Sequence, residues 1–252
     1  MTSFLAWLAR RVKGAHYDVD ERIPTSALLS FAGRRTIWLL RGFVKVLILQ
    51  RQVKLIFMGP GARLQNASMI RFGRAVTLGP GSILDGLAER GVELGDNVTI
   101  GAYSIVRSTG VLTKLGVGVR MGKNSSIDAY SFIGAAGGVF IGENVMMGQH
   151  ISFHAEEHNH SRVDCPIRDQ GTRHQGIVIG DDCWIGSNVT LLDGVHVGRG
   201  CVIGAGAVVK GTIPEYSIAV GVPARVVGTR GLCTKTSAAQ DSELAAATRR
   251  TG

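Results

Sequence analysis

Aromatic residues are scarce in this chain: Phe, Trp and Tyr together make up 6% of 252 residues. Large rings supply much of the area buried in a broad globular core, so their scarcity argues against one. Glycine, with 35 residues, is abundant instead, and the two facts together suit a thin, repetitive scaffold. Cysteine is scarce as well. Four cysteines in a chain of this length do not build the disulfide framework of a small secreted domain, and a reducing cytosol is the expected setting. No apolar run reaches the roughly 18 residues needed to span a bilayer. The opening MTSFLAWLARRVKG lacks the basic, apolar and small order of a cleavable signal. A cytoplasmic protein is expected, with the inner face of the membrane as a further possibility raised by its charge. Acids are few at the N-terminus: residues 1–60 hold ten Lys or Arg against Asp18, Asp20 and Glu21, which is +7 of the formal net charge of +9. That basic segment has no interleaved stacking aromatics, so no nucleic-acid partner is expected.

What the chain does have is a period of six. In residues 177–209, Ile179, Ile185, Leu191, Val197, Ile203 and Val209 recur at that interval. A small or β-branched residue follows four positions after each of the first five: Cys183, Val189, Val195, Cys201 and Ala207. A helix repeats at three and four and a half-buried strand at two; neither yields six. Short straight runs separated by tight corners do, and hexapeptide repeats are the signature of a parallel β-helix. Three runs make one triangular coil, and stacked coils sit about 4.8 Å apart. Cys183 and Cys201, one coil apart, are expected to stack in the interior. The same step is present in VELGDNVTIGAYSIV at 92–106, VRMGKNSSIDAYSFIG at 119–134 and VFIGENVMMGQHISF at 139–153. LIFMGPGARL and VTLGPGSILDG are expected to form poorer coils, and 107–118 and 135–138 to form bulges or small loops. After Val209 the chain is expected to leave the solenoid, with a disordered tail over 229–252.

Two regions stand outside the repeat. Residues 1–54 are expected to form a basic, helical segment; the apolar spacing of TIWLLRGFVKVLILQRQVKLIF at 36–57 predicts a helix that covers the open end of the solenoid or packs a trimer, lies on an anionic membrane, or does both. The repeat also vanishes between Phe153 and Ile177, where HAEEHNHSRVDCPIRDQGTRHQG intervenes. A long polar loop ejected from a regular scaffold is where function is expected. His150, His154, His158 and His160 cluster at its start with Glu156 and Glu157. Such a cluster suits a plain solvated surface, a metal site or general base catalysis.

These residues and repeats, over about 76–228, resemble the hexapeptide-repeat acyltransferases, in particular those that acetylate sugars and polysaccharides. The coil NVMMGQHISF, the loop with HNH at 158–160, CPIRDQG at 165–171, IVIGDDCWIG and the ending GVPAR at 221–225 carry the resemblance. It implies an all-β fold, a left-handed parallel β-helix; the handedness comes from the resemblance alone, since parallel crossovers are generally right-handed. It implies an acetyl-CoA-dependent enzyme that assembles as a homotrimer and modifies a glycan or glycolipid acceptor, without a metal. His158 falls at the catalytic position, with His160 two residues on. Glu156, Glu157 or Asp182 would orient the imidazole. Trp184, which should point outward, and Ser187, Gly204, Ala205, Gly206, Lys210 and Arg225 match positions that contact CoA. Relatives often read Thr-Lys-Asp where this chain has Lys210-Gly211-Thr212, a departure at the expected phosphate contact. N-acetylation of an amino sugar would use the same groove and base. A γ-carbonic-anhydrase-like zinc site needs Gly-His and His-Gly-Cys ligands that this chain lacks, and a purely structural solenoid would leave the loop and Trp184 unexplained.

Overall fold

The computed structural model describes residues 20, 22–50, 55–111 and 113–231. The first part of the expected helical segment, residues 1–19, and nearly all of the expected tail lie outside them. Among the described residues, the chain forms a left-handed parallel β-helix behind one long helix. Three sheets make the faces of a triangular prism. Sheet A stacks eight parallel strands, from Ile56–Met58 to Ser217–Val220; sheet B has seven, from Arg63–Gln65 to Val208–Val209; sheet C has seven, from Ile70–Phe72 to Thr212–Ile213. Each coil runs A, B, C, so partners in a sheet are one coil apart. In sheet A, Ile100, Ile127, Met147, Ile185 and Ile203 are successive partners. All point into the shaft and are at most 4% exposed.

The small positions share that interior. Cys183, Val189, Val195, Cys201 and Ala207 are buried, and Cys183 and Cys201 are free thiols. Where the small residue is serine, its hydroxyl finds partners. Ser125 Oγ donates to Gly142 O at 2.8 Å and accepts from Val145 N at 3.0 Å, which offsets the cost of burying it.

The corners are as regular as the faces, with one exception. From A to B the interior residues advance by six in every coil, from Met58 to Leu64 through Ile203 to Val209. From C to A they also advance by six, from Phe72 to Leu78 through Ile213 to Ala219. These corners are made by residues in the left-handed region: Tyr103, Tyr130, His150 and Asn188 between A and B; Asn97, Asn124, Asn144 and Asp182 between C and A. Asn visits that region more readily than most residues, and here the amides also link coils, Asn97 to Asn124 at 3.2 Å and Asn124 to Asn144 at 3.1 Å. Every departure from six falls at the corner between B and C. It absorbs the 3₁₀ turn Ala67–Met69, the segment 108–118, and the long loop between Ser152–His154 and Ile177–Ile179. LIFMGPGARL and VTLGPGSILDG, expected to be irregular, are therefore well-paired coils; Ile56 pairs with Val76 and Arg63 with Ile83. Their extra residues lie at this corner.

Both ends differ from the expectation. Helix α1 spans Thr25–Gln50, starting before residue 36 and stopping before Ile56, which begins the first strand. Leu28, Ala32, Arg35, Leu39, Gly42 and Val46 recur at three and four, and this stripe turns toward the first coil. Val46 is fully buried in the shaft's core. Arg35 lies 3.8 Å over the Phe57 ring and donates to Thr77 Oγ1 at 3.1 Å. At the other end the solenoid continues beyond Val209: Thr212–Ile213 joins sheet C and Ser217–Val220 joins sheet A. The chain then reverses after a cis Val222–Pro223 bond, and Arg225–Thr229 pairs antiparallel with Ser217–Val220. Arg230 fastens this last strand, donating to Asp182 Oδ2 at 3.1 Å and to Gly200 O at 3.0 Å.

Candidate active site

The long loop leaves the fifth coil after His154 and returns at Ile177. Its root is held by backbone bonds to neighbouring coils: Ala155 N to Gly134 O at 3.0 Å and Ile177 N to Gly138 O at 2.9 Å. Just outside the root, Glu157–His158 and Thr172–Arg173 form a short antiparallel ladder, with Glu157 opposite Arg173 and His158 opposite Thr172. Arg173 also pairs with the Glu157 carboxylate. The outer part is pinned by Gln170, whose amide donates to Arg162 O at 2.8 Å and to Cys165 O at 3.1 Å while accepting from Arg162 N at 3.0 Å.

Asp193, in the next coil, anchors the return. Its carboxylate, 1% exposed, accepts from the N–H groups of Gln175 and Gly176 at 2.9 Å, and Arg173 Nε lies 3.9 Å away. A buried carboxylate so paired is costly to disturb. Nothing in the six-residue pattern singles out Asp193, which sits at an ordinary corner of the repeat.

The loop divides the histidine cluster. His150 belongs to the corner between A and B, where it stacks on Tyr130 at 5.3 Å; Tyr130 stacks in turn on Tyr103 at 5.4 Å. His154 tilts against Phe132 at the end of sheet B. His158 and His160 are exposed on the loop. His160 Nδ1 lies 3.0 Å from His158 O. A carbonyl only accepts, so Nδ1 carries the proton and the neutral ring keeps its free lone pair on Nε2. His158 Nε2 lies 4.0 Å from Glu156 Oε1. The other oxygen of Glu156 lies 3.3 Å from Nε2 of His174, a half-buried residue that the sequence pattern does not mark. Of the three carboxylates expected to orient the imidazole, Glu157 is engaged by Arg173 and Asp182 by Arg230 at the corner between C and A. Glu156 alone of the three faces the loop histidines.

The two interior cysteines, Cys183 and Cys201, are not placed to act as nucleophiles. Burial pushes the Cys183 thiol up to about 11 and raises Cys201 as well, so both are neutral near pH 7 and shielded. Among the described residues, no group of three or more His, Cys, Asp or Glu is placed to hold a metal ion.

All but one of the residues matched to CoA contacts lie on other parts of the prism. Trp184 stands outward on sheet A, half-exposed between Met146 and Val202. Ser187, Gly204, Ala205 and Gly206 gather at the corner between A and B. The coils approach so closely there that a Cβ on Gly186 would meet Ala205 N at 2.6 Å, while Gly206 faces open space at φ 72°. Arg225 begins the final strand, near this corner, because Ala224 N donates to Val208 O at 2.8 Å. Lys210 lies at the corner between B and C, on the same edge as the loop. The chain thus carries the loop histidines on one edge and Trp184 with the Ser187–Gly206 group across another, and sheet B separates them.

The model of the bacterial transferase hexapeptide (six repeats) matches residues 176–211, and that of the hexapeptide repeat of succinyl-transferase matches 70–111. The chain is 31% identical over 173 residues to the putative lipopolysaccharide biosynthesis O-acetyl transferase WbbJ of Escherichia coli, covering 65% of this chain and 74% of that protein. It is 49% identical over 107 residues to a probable acetyltransferase of Mycobacterium tuberculosis, covering 42% of this chain and 36% of that relative. It is 38% identical over 90 residues to the galactoside O-acetyltransferase of Escherichia coli, covering 35% of this chain and 43% of that enzyme. The match thus spans well under half the length of the latter two.

Proposed function

The chain belongs to the hexapeptide-repeat acyltransferase family, and from that premise we propose that it transfers an acetyl group from acetyl-CoA to a hydroxyl of a sugar, glycolipid or exopolysaccharide precursor. The observation that carries this reading is the ejected loop, which presents two exposed imidazoles on a root anchored by a buried carboxylate. The relatives named as a putative lipopolysaccharide biosynthesis O-acetyl transferase and a galactoside O-acetyltransferase favour oxygen over nitrogen as the acceptor atom.

In the reaction, His158 takes the proton from the acceptor hydroxyl as that oxygen attacks the thioester carbonyl. A carbon–oxygen bond forms, the carbon–sulfur bond breaks, and the proton held by the imidazole passes to the departing thiolate to give free CoA. Corner N–H groups would stabilise the developing oxyanion. His160, with its lone pair on Nε2, is the second choice for the base. The donor suits the corner between A and B: Gly206 leaves room for the pantetheine arm, Trp184 offers a flat face and Arg225 offers a cation for phosphates, while Lys210, on the loop's edge, would reach them from the neighbouring subunit. Base and donor groups stand on different edges of one protomer, so the proposed enzyme is a homotrimer whose site forms between neighbours. Residues 1–54 are proposed to bring it to the inner face of the membrane.

Thiol release from acetyl-CoA, measured with water alone and then with a panel of sugars, tests the reading. Acceptor-dependent release that falls at least about 100-fold in His158→Ala, with the trimer intact, is expected. Full activity in His158→Ala together with loss in His160→Ala would move the base by two residues. Full activity in both would remove the loop from catalysis.

A further inference from the structure

Helix α1 has two apolar faces, and the solenoid uses only one. The stripe that ends at Val46 covers the first coil. The opposite side carries Ile37, Leu40, Val44 and Leu47, spaced by three or four, with Ile48 four residues after Val44 on the same ridge, each between 42% and 70% exposed. Burying such side chains is a main driving force of folding and association, so a ridge of five left to water is a marked exception on a soluble surface.

The charge beside this ridge is of one sign. At about 100° per residue, Arg34 and Lys45 fall on the same flank of the helix, and α1 contains no Asp or Glu. A second protein surface would meet such a helix equally well with apolar or acidic groups. A bilayer rich in anionic lipid meets both features at once, with acyl chains for the ridge and headgroups for the flank. No helix among the described residues is long and apolar enough to cross a membrane, so a helix of this kind lies in the interface.

We infer that the Ile37–Ile48 ridge of α1 is a docking surface for an anionic lipid bilayer, with Arg34 and Lys45 at the headgroups. This names the face and the lipid charge for the membrane contact proposed above, and its bearing on the acceptor rests on that reading. α1 covers the first coil and the histidine loop leaves the fifth. Four steps of about 4.8 Å place the loop roughly 20 Å from the first coil, and α1, about 10 Å thick, lies between that coil and the bilayer. An acceptor hydroxyl reached there belongs to an extended glycan on a lipid anchor rather than to a lipid headgroup. In a trimer with parallel shafts, three ridges would face the same bilayer and bind with avidity.

Sedimentation of the full chain with phosphatidylcholine vesicles, with and without phosphatidylglycerol, tests this without requiring turnover, so failure of the transferase reading leaves it untouched. Circular dichroism and gel filtration of Leu40→Asp/Val44→Asp and of Arg34→Glu/Lys45→Glu would establish that both remain folded. The expected result is binding to the anionic vesicles alone, weakened by salt and reduced at least tenfold in each double variant. Absence of wild-type binding, or equal binding by the Leu40→Asp/Val44→Asp variant, would overturn the proposal. So would a smaller oligomer in that variant with unchanged vesicle binding, since a second copy of the chain would then be what covers the ridge.

Discussion

Two edges of this prism are monotonous and the third is not. At the corners between A and B and between C and A, the interior residues advance by six in every coil, and the turns are made by stacked rings or linked amides. At the corner between B and C, the chain inserts a 3₁₀ turn, the segments 86–91, 108–118 and 135–138, the long loop and, in the last coil, only Lys210 and Gly211 between strands. The contrast follows from how a rung is held. A coil must keep Ile185 over Met147 and under Ile203, and that register demands a fixed advance on the way in and out of sheet A. Extra residues that bulge outward between sheets B and C leave all three ladders in register. The edge free to vary is the one that carries the histidine loop.

The most severe way to break this comparison is to insert residues on the invariant edge. A Gly-Ser pair placed between Ala205 and Gly206 would shift Val209 off Leu191. It is expected to lower Tm by more than about 10 °C, whereas the same pair between Lys210 and Gly211 restores a six-residue advance and is expected to cost less than about 4 °C. Calorimetry of the two insertions decides it; equal losses would erase the distinction between the edges.

Asp193→Ala sharpens the comparison from the variable side. It leaves the N–H groups of Gln175 and Gly176 without their buried acceptor, at a cost of about 1–3 kcal/mol. The expected signature is local: the loop becomes protease-sensitive and turnover falls, while far-UV circular dichroism of the solenoid is unchanged. Loss of the whole fold would mean that the loop's anchor is also a support of the shaft.

The smallest effect concerns the shaft interior at high pH. The Cys183 thiol is held protonated up to about 11 in the folded chain, against an ordinary value of 9.0. Between those values the folded state binds more protons than the unfolded one, so stability falls as pH rises through that window and is fully present below it. Denaturant titrations at pH 8 and 10.5 should show a decline that is smaller in Cys183→Ala by up to about 2 kcal/mol. An identical decline in the variant would place the alkaline sensitivity elsewhere.

How much of this is legible in the sequence depends on which edge a residue serves. The six-residue step of 177–209, the inward Cys183 and Cys201 and the outward Trp184 are direct consequences of a period that leaves each side chain one direction to point. The early coils are obscured because their extra residues, at Ala67–Met69 and in 86–91, break the count even though they do not break the register. The start of α1 at Thr25 is obscured for another reason: half of its facing stripe is Ala32, Arg35 and Gly42, small or charged residues that do not read as a core face until the first coil is in place against them. His174 and Asp193 come to the loop's root only through folding. His174 lies twenty residues after His154, and Asp193 belongs to the next coil; only the antiparallel ladder and the stacking bring them near Glu156 and Gly176.

A stack of like rungs has no intrinsic length. Each new coil would offer its open edge to another, and an uncovered parallel edge is a template for end-to-end growth. In this chain α1 lies over the first rung, and Arg225–Thr229, running against the direction of its neighbours and fastened by Arg230, closes the last rung of sheet A. Among the described residues, these two pieces cover the ends of the repeat and oppose its continuing into a fibre. Losing either would be read first as polymerisation, before any loss of the fold that the coils themselves sustain.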